Sequence, residues 1–292
     1  MARYFIKDIE NISGIKAHTI RIWEQRYNLI SPKRTETNLR FYNDEDVKLI
    51  LNVSILKDAG YRISDIAALT QRDLMEKVNS VIDEVEGKES IIKSLVASTY
   101  DLNESEINKI ISSHILKNGF ESTVLNLIFP FLKKIGQLWM SNSLHPGLEH
   151  FATNIIKNKL QIASEGKQIR NENSKKFLLF LPEGEHHEIS LLFASYLLKA
   201  NGHEVVYMGS NTPMEDLEKV FKDWLPEYIF TSVTTGFTQL TFEQMLEVFE
   251  SNWDNIKVFI TGNRALDHKG KVPKNVSIIK DVSAFKSVIE SL

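Results

Sequence analysis

TIRIWEQRYNLISPKRTETNLRFY, residues Thr19–Tyr42, sets Arg21, Arg26, Lys33, Arg34 and Arg40 among Trp23, Tyr27, Phe41 and Tyr42. That mixture suits a nucleic-acid surface. Cations neutralise phosphates, planar side chains pack against sugars and support the cations, and a short polar side chain such as Thr19 reaches base edges. Upstream, the residues from Phe5 to Gly14 read as a short helix closed by a glycine turn, followed by a second helix from about Lys16 to Tyr27. Phe5, Ile9 and Ile12 are expected to face inward from the first helix, Ile20 and Trp23 from the second. Pro32 and the polar run Lys33–Asn38 cannot continue a helix, so the chain loops and returns as Arg40-Phe41-Tyr42. Asn43 then caps a helix with Asp44, Glu45 and Asp46 in its first turn, where the helix dipole favours acids. That helix stops at Gly60, and Ser64 is expected to cap a shorter one. On this reading Thr19 and Arg21 enter the major groove of duplex DNA. Arg34, Arg40 and Tyr42 lie on its backbone, with Arg26, Tyr27 and Lys33 on the same surface.

Charge is distributed accordingly. Residues 1–72 hold 12 Lys+Arg against 9 Asp+Glu, whereas the whole chain holds 35 against 38. A basic head on an acidic body suits a DNA reader whose other part does something else, and argues against a protein that coats nucleic acid throughout. The 292 residues, 42% of them hydrophobic, allow two or three domains with real cores. No apolar run is long enough to span a bilayer, and no apolar signal region opens the chain, so a cytoplasmic protein with no membrane partner is expected. The absence of Cys removes disulfides, thiolate metal sites and thiol-based sensing.

From Asp73 to Lys167 the pattern is helical, with apolar residues at three- and four-residue spacings, Gly119 between two helices and Pro146 in the first turn of another. A small four-helix bundle is expected. Trp139 falls at the end of one helix, and Glu149 and His150 near the start of the next. Each also reads as ordinary helix core or polar face.

After the polar linker KQIRNENSKK, apolar strands alternate with amphipathic helices: FLLFLP, HEVVYMG, EYIFTSV, IKVFITG and VSIIK carry the strands. This predicts a doubly wound parallel sheet, whose ligands bind at the carboxyl ends of the strands. The loops leaving those ends carry EGEHHE, TSVTTG and TGNRA. They contain neither a dinucleotide-binding glycine pattern nor a P-loop. Instead His187 precedes a helix, with Glu185 placed to hold one ring nitrogen while the other points outward. Ser232, Thr234 and Gly262 are small residues that leave a slot beside the sheet. A zinc site from His186, His187 and a nearby Glu is disfavoured, because ligands on one short loop rarely converge.

The order HTIRIWEQRY, PKRTETNLRFY, LKDAGYRISDI over residues 3–70 resembles the DNA-binding domain of the MerR family. The loop set resembles the cobalamin-binding module of corrinoid proteins, in which the histidine of an acidic-x-His-x-x-Gly motif ligates cobalt from below. Trp139, Glu149 and His150 resemble the cap over the upper face of adenosylcobalamin in light-sensing MerR regulators of the CarH/LitR type. The resemblance implies a multidomain chain: an all-α winged helix-turn-helix (1–72), a four-helix bundle cap (73–167) and an α/β, Rossmann-like cobalamin-binding domain (176–292). It implies a transcriptional regulator, a repressor and not an enzyme. Adenosylcobalamin controls its assembly into a dimer or tetramer on a double-stranded operator, and light breaks the cobalt–carbon bond. His187 is then the cobalt ligand, with Trp139, Glu149, His150, Glu185, Ser232, Thr234 and Gly262 around the cofactor and no free metal ion. The chain departs from the pattern at Ser190, where Gly stands, at Asn263 in the Gly-Gly loop, and at Met140, where photosensory relatives can carry His. The alternative is a cobalamin-independent MerR-type regulator whose C-terminal region binds a protein partner or another small ligand. A corrinoid enzyme is disfavoured, because no segment remains for a substrate domain.

Overall fold

The computed structural model describes residues 4–35, 38–84, 88–165, 173–236 and 238–292. Part of the polar run Lys33–Asn38 and most of the linker 167–176 lie outside them. The chain divides into two compact units, Met1–Ile155 and Ile156–Leu292.

The first unit opens with α1 (Ile6–Ser13) and α2 (Ala17–Tyr27), joined at Gly14 in the left-handed conformation. The hairpin β1 (Lys33–Arg34) and β2 (Arg40–Phe41) forms the wing, with Lys33 opposite Phe41. Tyr4 and Tyr42 add an antiparallel bridge beside it. Ile9, Ile12, Ile20 and Trp23 are buried as expected, but Phe5 is 44% exposed. Phe5 is the extended residue ahead of α1, so its side chain leaves the helix face while Tyr4, one position earlier, takes the core place at 3% exposure. Asn43 caps α3 (Asp44–Asp58): its side chain accepts from Asp46 N–H, and the Asp46 carboxylate accepts from Asn43 N–H. Ser64 is not a cap. It lies inside α4 (Ile63–Ala67), with Arg62 ahead of it, and donates to the Asp65 carboxylate.

Four longer helical segments follow in this unit, α5 (Gln71–Glu84), α6 (Lys88–Tyr100), α7 (Glu104–Asn118) and a segment of α8 (Phe120–Thr123) and α9 (Phe129–Met140) joined by a π-helical turn, and α10 (Pro146–Glu165) starts in it and ends in the second, which begins at Ile156. Pro130 accounts for the π-turn. It has no N–H to give the carbonyl one turn back, so the ladder resets just before it. α6 packs on α3 as well as on α7 and α9. Lys93 on α6 donates to Ser54 Oγ at 2.9 Å and pairs with Asp58, and the Tyr100 ring meets Tyr4 edge-on. Helices beyond residue 72 therefore share a core with those before it.

The second unit is a five-stranded parallel sheet: β3 (Lys176–Pro182), β4 (Glu204–Thr212), β5 (Tyr228–Ser232), β6 (Lys257–Thr261) and β7 (Val276–Ile278), in the order β4-β3-β5-β6-β7. Between them run α11 (Ile189–Ala200), α12 (Met214–Trp224), α13 (Phe242–Asn252) and α14 (Asn263–Asp267), and α15 (Val282–Glu290) closes the chain. α13 begins at Phe242, where Thr241 caps it by accepting from Gln244 N–H. Strand side chains alternate between faces. Leu178, Phe180, Ile229, Val258 and Ile260 pack with Leu217, Phe221 and Met245 of α12 and α13, while Phe230 and Phe259 meet Phe285 of α15 on the other face. Each such fully buried side chain contributes about 1.5–3 kcal/mol. The strand order reverses between β3 and β5, the switch point outside whose carboxyl ends sheets of this kind bind ligands.

Candidate functional site

Two groups of residues carry chemistry. In the first unit, Arg21 and Arg26 stand exposed on α2 and Lys33 and Arg34 on β1, while Thr19 is half-buried. Arg34 donates to Asn38 Oδ1 at 2.7 Å, closing the hairpin on itself. Tyr27 is half-buried against the core that holds Trp23, Val53 and Leu56. Tyr42, expected on the DNA backbone, is instead fully buried at 0% exposure. Its hydroxyl donates to Glu24, whose other oxygen forms an ion pair with Arg40 Nε at 3.4 Å. Burial, the hydrogen bond to Glu24 and the charge of Glu24 push the Tyr42 hydroxyl far above its ordinary range, so it stays a donor. Glu24 thus joins α2 to the wing, and Tyr42 positions Arg40 from within.

The second group lies at the β3/β5 switch point. The loop after β3 turns back so that Glu185, fully buried, sits under His187. Glu185 Oε1 accepts from His187 Nδ1 at 2.6 Å and from the N–H groups of His186 and His187 at 2.9 and 3.0 Å. Its Oε2 accepts from Thr234 and Thr235 N–H at 2.6 and 2.9 Å, in the loop after β5. Burial alone would raise the carboxyl, but the His187 hydrogen bond and these backbone donors outweigh it and hold Glu185 down at about 2. With Nδ1 tied, His187 keeps its Nε2 on the far side of a ring that is 59% exposed.

The small residues act differently from a simple slot. Ser232 is buried and accepts from Ser190 Oγ at 3.2 Å, so the serine standing for the motif glycine bridges α11 to the end of β5. Thr234 contributes its N–H. Gly262, at φ +100, lets the β6 turn lie on Val233: a Cβ there would meet Val233 O at 2.3 Å. Asn263 is exposed as the first residue of α14. In the first unit, Trp139 is 50% exposed near the end of α9, and His150 Nδ1 lies 3.2 Å from Glu149 Oε2 in the first turns of α10. Glu149 also accepts from Thr153 at 2.8 Å. Glu188, not singled out from sequence, turns out to have long-range partners. It receives Tyr207 from β4 and Lys157 from α10. Its position one residue after His187 was the only available signal. Among the described residues, no group of three or more His, Asp or Glu side chains is arranged to hold a metal ion, and no helix is long and apolar enough to cross a membrane.

Comparison with known proteins finds two family matches in the chain. Residues 4–73 match the MerR HTH family of regulatory proteins, and residues 91–163 match a B12 binding domain. The HTH-type transcriptional repressor CarH of Myxococcus xanthus is 25% identical over 91% of this chain and 91% of its own length. The repressor CarA of the same organism is 24% identical over 83% of this chain and 80% of its own. Among solved structures, the Methanosarcina barkeri monomethylamine corrinoid protein covers 70% of this chain and 100% of its own, with a TM-score of 0.56 at 15% identity, a likeness of fold.

Two outcomes follow from the geometry. Tyr42→Phe leaves the Glu24 carboxylate short of a buried donor and should cost about 1–3 kcal/mol in urea unfolding. The salt dependence of duplex binding should stay unchanged; a flatter slope would return Tyr42 to the DNA surface. Glu185 has a folded-state pKa depressed below its unfolded value of about 4.5, so its stabilisation is complete above that value and is lost as pH falls toward about 2. The shift corresponds to roughly 3 kcal/mol at neutral pH. Acid unfolding of Glu185→Gln should therefore lack the component that the wild type loses between about pH 5 and 2. Parallel acid titrations of the two proteins would refute it.

Proposed function

We propose that this chain, a MerR-type regulator carrying a B12-binding module, is a transcriptional repressor whose operator binding and self-association are controlled by adenosylcobalamin. One observation carries the reading: an imidazole at the switch point whose Nδ1 is held by a buried, ionised carboxylate. That arrangement ties Nδ1 and orients the ring, so Nε2 would be the atom that holds cobalt if a corrinoid binds. The donor set fits a corrinoid. His187 would hold the metal and Glu185 would orient it. Ser232 ends β5 and Thr234 lies in the loop after it, and Gly262 gives the β6 turn its close approach. Segments 1–72, 73–167 and 176–292 take the DNA-binding, capping and corrinoid roles.

Trp139, Glu149 and His150 are assigned to the upper face. An aromatic ring half-exposed at a helix end is available to pack on a ligand, and the Glu149–His150 pair offers an acceptor and a donor to it. Bound adenosylcobalamin supplies a photolabile cobalt–carbon bond and thereby a light input. A ligand that binds one arrangement of the chain better than another shifts the population by that differential affinity, and the dimer or tetramer follows. The protein acts in the cytoplasm on double-stranded DNA through Arg21 and Thr19 at base edges, with Arg26, Lys33, Arg34 and Arg40 toward phosphates, and catalyses no reaction.

A cobalamin-independent regulator that takes a protein partner or another small ligand is the second reading. The Ser190–Ser232 hydrogen bond favours it, because it closes the place where the corrinoid motif has glycine.

Absorption spectra and light scattering after incubation with adenosylcobalamin and gel filtration in the dark separate the two. Retained colour, with a ligand-dependent oligomer that green light reverses, is expected; a colourless protein that still binds its operator establishes the second reading. His187→Ala should lose the histidine-ligated spectrum, and Glu185→Ala should weaken retention by roughly 10–100-fold. Equal retention by wild type and His187→Ala removes the ligand assignment. Arg34→Ala should lower the log–log salt slope of duplex binding by about one unit. An unchanged slope removes the wing contact.

A further inference from the structure

We infer that Glu188 is a positioning residue that makes the His187 loop and the C-terminal half of α10 one cooperative element. The inference rests on the corrinoid reading only for its use in signalling; the coupling itself belongs to the protein without ligand. Glu188 directly follows His187 and stands at the head of α11. Its Oε2 pairs with Lys157 of α10, and its Oε1 accepts from the Tyr207 hydroxyl of β4 at 3.2 Å. The Glu188 side chain is only 13% exposed and that of Lys157 27%. Burial and the neighbouring Glu188 charge hold the Tyr207 hydroxyl well above its ordinary range, which keeps it a donor.

The arrangement is specific because the loop is clamped from two sides. Glu185 ties it to the loop after β5, and Glu188 ties it to β4 and α10. The backbone between the two acids is short, and Glu188 N–H returns to His186 O at 3.0 Å. His187 therefore cannot shift without loading one clamp or the other. Loading the Glu188 clamp strains a half-buried ion pair, and separating its partners leaves two charges in a poorly solvated place. Displacement of the His187 ring is thus felt at Lys157. α10 is the continuous helix whose first turns carry Glu149 and His150. The coupling is carried by named side-chain contacts rather than by proximity in sequence.

Amide hydrogen exchange on the full-length chain tests this without cobalamin. Lys157→Met should raise exchange about tenfold in residues 183–188 as well as in 157–165, and Tyr207→Phe should do so more weakly in both. Glu188→Gln combined with Lys157→Met should add little to either alone, as expected for partners in one network. Glu215→Gln, an exposed acid on α12, serves as the control. A Lys157→Met effect confined to α10, or additive behaviour of the double variant, overturns the inference. A second arm adds hydroxocobalamin. In the wild type, ligand should slow exchange in 157–165, and in Lys157→Met this slowing should vanish while cobalamin is still retained to within a few-fold. Persistence of the slowing in the variant also overturns the inference. If the wild type takes up no cobalamin, the proposed function fails while the ligand-free arm still decides the coupling.

Discussion

A carboxylate with no exposure to water is costly unless every lone pair is occupied. Glu185 meets that condition by collecting donors from its own loop and from the loop after β5. The rest of the second unit depends on this. The five-donor shell ties the loop after β3 to the loop after β5, orients the His187 ring through Nδ1 and holds the turn that leads into Glu188 at the head of α11. Gly262 serves the same tie from the next strand, since any side chain there would push the β6 turn off Val233 and move the Thr234 and Thr235 donors. A loop built this way is a rigid mount for one imidazole, stiffer than the surface loop that its polar composition suggests.

The DNA-reading unit uses the same device in a different place. Glu24 has a side chain only 8% exposed and is held by Tyr42 and Arg40. α2 and the wing are fastened through a buried acid, and the exposed cations Arg21, Arg26, Lys33 and Arg34 are displayed from a fixed frame. Arg40 is paired with Glu24, so the wing is less cationic than its composition implies.

Much of this was legible in the sequence where the signal is local. Apolar runs such as FLLFLP and IKVFITG marked the strands, because a sheet covered on both faces needs unbroken hydrophobic segments. Asn43 with Asp46 marked a helix start, and Glu185 two residues from His187 marked the tied imidazole. The misreadings share a cause as well. Tyr42 beside Arg40 reads as surface, and only the bridge to Tyr4, far away in sequence, turns it inward. Phe5 and Tyr4 exchange places because one residue of register decides which side of an extended segment is buried. The backbone donors of Thr234 and Thr235 leave no trace in side-chain identity. Ser190 and Ser232, or Glu188 and Lys157, are pairs that only the folded topology brings together.

α10 has a consequence of phase. His150 and Lys157 are seven positions apart on one unbroken helix, and seven residues fall only about 20° short of two full turns. They therefore project along the same stripe. Inserting a single residue between them would rotate one against the other by about 100° without removing a side chain. The segment Phe151–Ile156 thus acts as a spacer of fixed count, and its length matters independently of which residues fill it.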